Sequence, residues 1–117
     1  MPAPPTITSP ELAEDPEGTD ANPVSRADLL VAWDRVTETV TGEPVEITGY
    51  EVILTKEVED DPHGFSRPTY DVLVPATVRR LPVPMKFLEA NTVYELEVLA
   101  LEESGNQTIS VGFFKTA

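Results

Sequence analysis

The side chains able to do chemistry in this sequence are few, and most are carboxylates. The single histidine, His63, lies in Asp60-Asp61-Pro62-His63-Gly64. A nucleophilic triad or zinc centre built on it needs partners that only distant serines or acids supply. Beside a proline and a glycine, His63 reads as an exposed loop residue. There is no cysteine, which removes thiol catalysis, cysteine-ligated zinc and a disulfide framework. The six glycines are dispersed and form no phosphate-cradling loop. Glycoside hydrolysis needs two carboxylates across a cleft, and a small fold without large insertions offers none.

Two acidic stretches are the stronger chemical candidates. Asp15-Pro16-Glu17-Gly18-Thr19-Asp20 and Glu57-Val58-Glu59-Asp60-Asp61 each present hard oxygen ligands of the kind calcium takes. Neither places the glycine and the closing glutamate of a helix–loop–helix calcium loop. They read as solubilising loops. Asn106-Gln107-Thr108 is a formal N-glycosylation acceptor. The expectation is a chain that is not an enzyme, with no catalytic, cofactor-binding or metal residues and no cofactor. The alternative kept beside it is a calcium- or carbohydrate-binding accessory domain of an extracellular enzyme or adhesin.

A formal net charge of −13 on 117 residues narrows the partners. Phosphates need cations to neutralise them, so nucleic acid and anionic membrane are disfavoured. The eight Lys and Arg are scattered, and only Arg79 and Arg80 are adjacent. No apolar run approaches the roughly 20 residues that cross a bilayer, and no charged-then-apolar leader opens the sequence. The length fits one domain over residues 1–117, with residues 1–4 read as linker.

The elements that position these groups are strands. Twelve prolines are spread along the chain, which breaks helices and suits strands bounded by turns. Side chains on a strand alternate faces. Leu29, Val31 and Trp33 then share one face, as do Tyr50, Val52 and Leu54. Tyr94, Leu96, Val98 and Ala100 alternate against Glu95, Glu97 and Leu99. Further strands are expected at Thr6–Thr8, Tyr70–Val74, Thr77–Val83 and Thr108–Lys115. Gly42-Glu43-Pro44, Asp61-Pro62-His63-Gly64 and Ser104-Gly105-Asn106 supply turns. Two loops look long, Pro10–Ala27 and Val58–Pro68. About seven short strands without a helical stretch imply an all-β sandwich or barrel.

In these residues the chain resembles the fibronectin type III family over nearly its whole length. Pro4-Pro5-Thr6-Ile7 is similar to the opening of the first strand. Leu29-x-Val31-x-Trp33 is similar to the second, whose tryptophan is the family's core residue. Gly49-Tyr50-Glu51-Val52 resembles the third, where an aromatic packs against that tryptophan. The most specific stretch is Leu88-Glu89-Ala90-Asn91-Thr92-Val93-Tyr94-Glu95-Leu96-Glu97-Val98, similar to a leucine, a turn, a threonine and a tyrosine leading into alternating apolar positions. Its tyrosine hydroxyl can bond nearby backbone, as in the tyrosine corner of sandwich folds. Asn91 tolerates the left-handed backbone of such a turn. The last strand resembles Thr108–Phe114.

The resemblance implies a seven-stranded antiparallel immunoglobulin-like (fibronectin type III) β-sandwich, all-β, acting as a spacer or protein-binding module of a larger extracellular or cell-surface protein. A monomer is expected, with a protein partner or neighbouring domains of the same chain, no nucleic acid and no membrane insertion. The core is expected at Ile7, Leu29, Val31, Trp33, Tyr50, Val52, Leu54, Leu88, Tyr94, Leu96 and Val98. Recognition is expected in the loops Val36–Glu46 and Glu102–Gln107 or on an exposed sheet face. No Arg-Gly-Asp triplet supports integrin contact. Of Phe113 and Phe114, one must face outward, either toward a neighbouring domain or beneath the chain's own N-terminal segment.

Overall fold

A computed structural model describes residues 1–14, 22–56 and 69–117. Seven strands form in chain order: β1 (Ile7–Ser9), β2 (Leu30–Trp33), β3 (Ile47–Lys56), β4 (Thr69–Pro75), β5 (Arg80–Pro82), β6 (Val93–Glu102) and β7 (Gln107–Lys115). They make two antiparallel sheets, one of order β1-β2-β5 and one of order β4-β3-β6-β7. Single 3₁₀ turns at Arg26–Asp28 and Met85–Phe87 are the only helical pieces among the described residues.

The alternation read from sequence fixes which face each strand buries. Val31 and Trp33 of β2 meet Tyr50, Val52 and Leu54 of β3 and Tyr94, Leu96, Val98 and Ala100 of β6 in one apolar cluster fed by both sheets. Trp33 and Tyr50 pack with ring centroids 5.5 Å apart and planes tilted by 57°, an arrangement suited to the ring quadrupoles. Phe114 is fully buried and stacks on Tyr94 at 5.6 Å. Val36, Val83, Ala100 and Phe114 join the expected core. Ile7 is only half-buried, because β1 is an edge strand whose register slips between Ile7 and Ser9.

Boundaries differ where proline and turns intervene. The strand expected over 77–83 shortens to Arg80–Pro82, since Val78 N–H closes a turn on the Pro75 carbonyl at 2.9 Å and Pro82 has no N–H to donate. The strands expected from Tyr50 and Tyr94 begin earlier and run on to Lys56 and Glu102. Leu29 stands just before β2 yet is buried as expected.

The described parts of the long N-terminal stretch, residues 10–14 and 22–27, lie along the fold. After β1 the chain passes to the edge of β7, where Ala13 and Phe113 exchange both backbone hydrogen bonds, at 2.7 and 2.9 Å. Val24 then donates to Lys115 and accepts from Ala117. Residues 1–4, read as linker, also lie against the fold: Pro2 is buried, and Ala3 N–H donates to the Glu38 carbonyl at 2.8 Å. Ala13 pairs edge-on with the backbone of Phe113, a residue that is itself half-buried.

Candidate interaction surfaces

The acidic stretches 15–20 and 57–61 and His63 lie outside the described residues. Among the described residues no three His, Asp or Glu gather as a metal-holding group. Asn106 is exposed in the β6–β7 turn, its amide donating to the Glu102 carboxylate at 3.3 Å. That turn reverses at Gly105, whose φ of 92° suits glycine.

The two loops expected to carry recognition meet at one end of the fold. Glu103 N–H donates to the Glu46 carbonyl at 3.4 Å, tying the β6–β7 turn to the β2–β3 connection. Within that connection the Thr39 hydroxyl accepts from the N–H groups of Thr41 and Glu43. An open dent of about 240 Å³ lies beside it, lined by Arg35, Val36, Thr37, Val45, Ile47 and Tyr50 among others. The Tyr50 hydroxyl at its floor already accepts the Val36 N–H at 2.9 Å. Arg35 and Glu46 supply the charged groups of its lining, one of each sign.

The outer face of the four-stranded sheet is chemically richer. Register places side chains in rows across it. One row runs Leu73, Glu51, Leu99, Ile109, and the next Asp71, Ile53, Glu97, Val111. A third follows with Thr69, Thr55, Glu95 and Phe113. Leu73, Ile109 and Val111 are 68%, 47% and 55% exposed. Large apolar side chains thus stand in water on the same face as four carboxylates.

Two of the four, Glu97 and Glu51, hold their protons more tightly than an ordinary carboxylate. The Glu97 carboxyl is pushed up to about 7, chiefly by partial burial, then by its contact with Glu95 and the nearby charges of Glu51 and Asp71. Glu51 is raised as well, first by its hydrogen bond with Asp71 and then by burial. A carboxylate desolvated among like charges favours its neutral form.

No protein-family model matches the sequence, and no curated protein matches it either.

Sequence reasoning placed Glu95, Glu97 and Leu99 on the wet face of their strand but missed the surface they build. The rows depend on strand register, which no single strand encodes. A local signal did exist: Val72-Leu73-Val74 and Ile109 with Val111 put apolar residues on the face that a half-buried strand leaves polar.

Proposed function

We propose that the chain is a non-catalytic module of fibronectin type III type, serving as a spacer or protein-binding unit within a larger extracellular protein. The strand orders β1-β2-β5 and β4-β3-β6-β7 support the fold assignment. So do the Trp33–Tyr50 pair and the Tyr94 hydroxyl accepting the Glu89 N–H, the tyrosine corner of sandwich folds. The observation that carries the binding role is the outer sheet face, where Leu73, Ile109 and Val111 are exposed. Leu73 on one edge strand and Ile109 and Val111 on the other flank the half-buried Ile53 and Leu99. Apolar surface extending across a sheet face marks an interaction surface.

Solution NMR of the whole chain tests the reading. Cross-strand contacts should give β3 between β4 and β6, and sedimentation should give a monomer. A fourth strand paired with β5 instead would point to the immunoglobulin constant-domain order. Amide shifts and a rising melting temperature on adding calcium would replace the spacer role with the calcium-holding one, because a ligand of the native state raises stability with its concentration.

A further inference from the structure

A sheet face that only meets water carries mixed charges and few large apolar groups. The outer face of the four-stranded sheet departs from both habits. Its exposed aliphatics Leu73, Ile109 and Val111 interleave in the register with Ile53 and Leu99. The charges between them, Glu51, Asp71, Glu95 and Glu97, are all negative. Of the two cations on these four strands, only Lys115 shares this face. Lys115 stands at the end of the face opposite Val93, and Lys56 shares the inner side with Tyr94 and pairs with Glu89. Arg79 and Arg80 belong to the three-stranded sheet's side.

We propose that this face docks a protein segment in which Lys or Arg alternates with aliphatic residues, the cations meeting Glu51, Asp71, Glu95 and Glu97 and the aliphatics meeting Leu73, Ile109 and Val111. The inference rests on the binding-module reading above and names the partner's chemistry. Charge selects this occupant. A second copy laid face to face sets carboxylate against carboxylate, and its net charge of −13 adds repulsion. The chain's own segments 15–21 and 57–68 are acidic on balance, with Asp15, Glu17 and Asp20 in one and four acids against Arg67 in the other.

Protonation supports the same partner. Glu97 is faced by Glu95 on its own strand, Glu51 on β3, Asp71 on β4 and the uncharged Val111 on β7. A docked cation relieves that repulsion and draws the Glu97 carboxyl back toward the ordinary carboxylate range. Docking then tightens as pH rises toward about 7 and levels off above it.

The test titrates the full chain with a synthetic peptide of alternating Lys and Val, near physiological salt, following backbone amide shifts. A Lys–Ser peptide of equal charge is the control. Shifts should concentrate at residues 51–53, 71–73, 97–99 and 109–111, and the Lys–Ser peptide should bind more than about tenfold more weakly. Leu73→Ser and Val111→Ser should each weaken the Lys–Val peptide and leave the Lys–Ser peptide unchanged. Glu97→Gln should weaken it about two- to fivefold, as for a solvent-accessible ion pair, and remove the pH dependence. Equal affinity for both peptides, or shifts spread over every acidic surface, overturns the proposal. Concentration-dependent self-association in sedimentation assigns the face to a second copy and overturns it too. Failure of docking with the strand orders intact leaves the module reading standing; a different strand order overturns that reading instead.

Discussion

The hydroxyl of Tyr94 accepts the backbone N–H of Glu89 at 2.7 Å, five residues upstream, and so locks the turn that feeds β6. The ring itself is fully buried against Phe114 and Phe87. Removing only the oxygen keeps that packing and leaves a part-buried donor without its acceptor. Tyr94→Phe should therefore cost about 1–3 kcal/mol, the desolvation penalty of an orphaned polar group. Urea denaturation measures it. An unchanged midpoint shows that the bond holds nothing the backbone would not hold alone.

This corner was the most legible part of the sequence, because its determinants are local. Leu88, Asn91 and Tyr94 lie within one turn, and each does what its chemistry implies: Leu88 is buried, Asn91 takes a φ of 53°, and Tyr94 leads the strand inward. Thr116 was not legible. It is 1% exposed, its hydroxyl donates to the Glu89 carbonyl and accepts from Thr92 N–H, and it pins the same corner from the far end of the chain. No pattern around a penultimate threonine announces a partner 24 residues away. The outer sheet face escaped for the same reason: Glu51, Asp71 and Glu97 come from three strands and meet only through register.

Trp33 joins the two sheets at 2% exposure, and its Nε1 has no hydrogen-bond partner among the described residues. Its contribution is then volume and ring contact with Tyr50 and not a polar bond. Trp33→Ala should cost about 3–5 kcal/mol, as large aromatic truncations do. Trp33→Phe should recover most of that loss, since it refills the space and gives up no made bond. Equal destabilisation by the two variants would place the stabilisation in the indole N–H.

The N-terminal segment crosses β7 at a point of very close approach. A Cβ added at Gly112 would stand 2.8 Å from Leu12 side-chain atoms, including its Cβ, which cannot swing aside without the backbone. Gly112→Ala should lift residues 11–13 off the sheet while β6 and β7 stay paired. Hydrogen exchange reads this directly: the amides of Ala13 and Phe113, bonded to each other's carbonyls, should lose protection. Protection of the Leu96 amide, deep in the sheet, should hold. Loss at both would mean that the crossing segment and the sheet open as one unit.

Glu97 gives the fold an inverted pH response. Its carboxyl keeps a proton up to about 7 in the folded chain, against an ordinary value of 4.5. Between those values the folded state binds more protons than the unfolded state, so stability increases as pH falls from 7 toward 4.5. Glu51, raised by its contact with Asp71, acts in the same direction. Above pH 7 the ionised Glu97 stands beside Glu95, Glu51 and Asp71 and the repulsion is fully expressed. Glu97→Gln keeps the shape and removes the charge. The variant should be more stable than the parent at pH 8, equal to it near pH 5, and flatter between. Denaturation midpoints at those values decide the matter: a parent whose stability falls steadily from pH 8 to pH 5, or a variant with the parent's slope, would show that the four carboxylates are solvated independently.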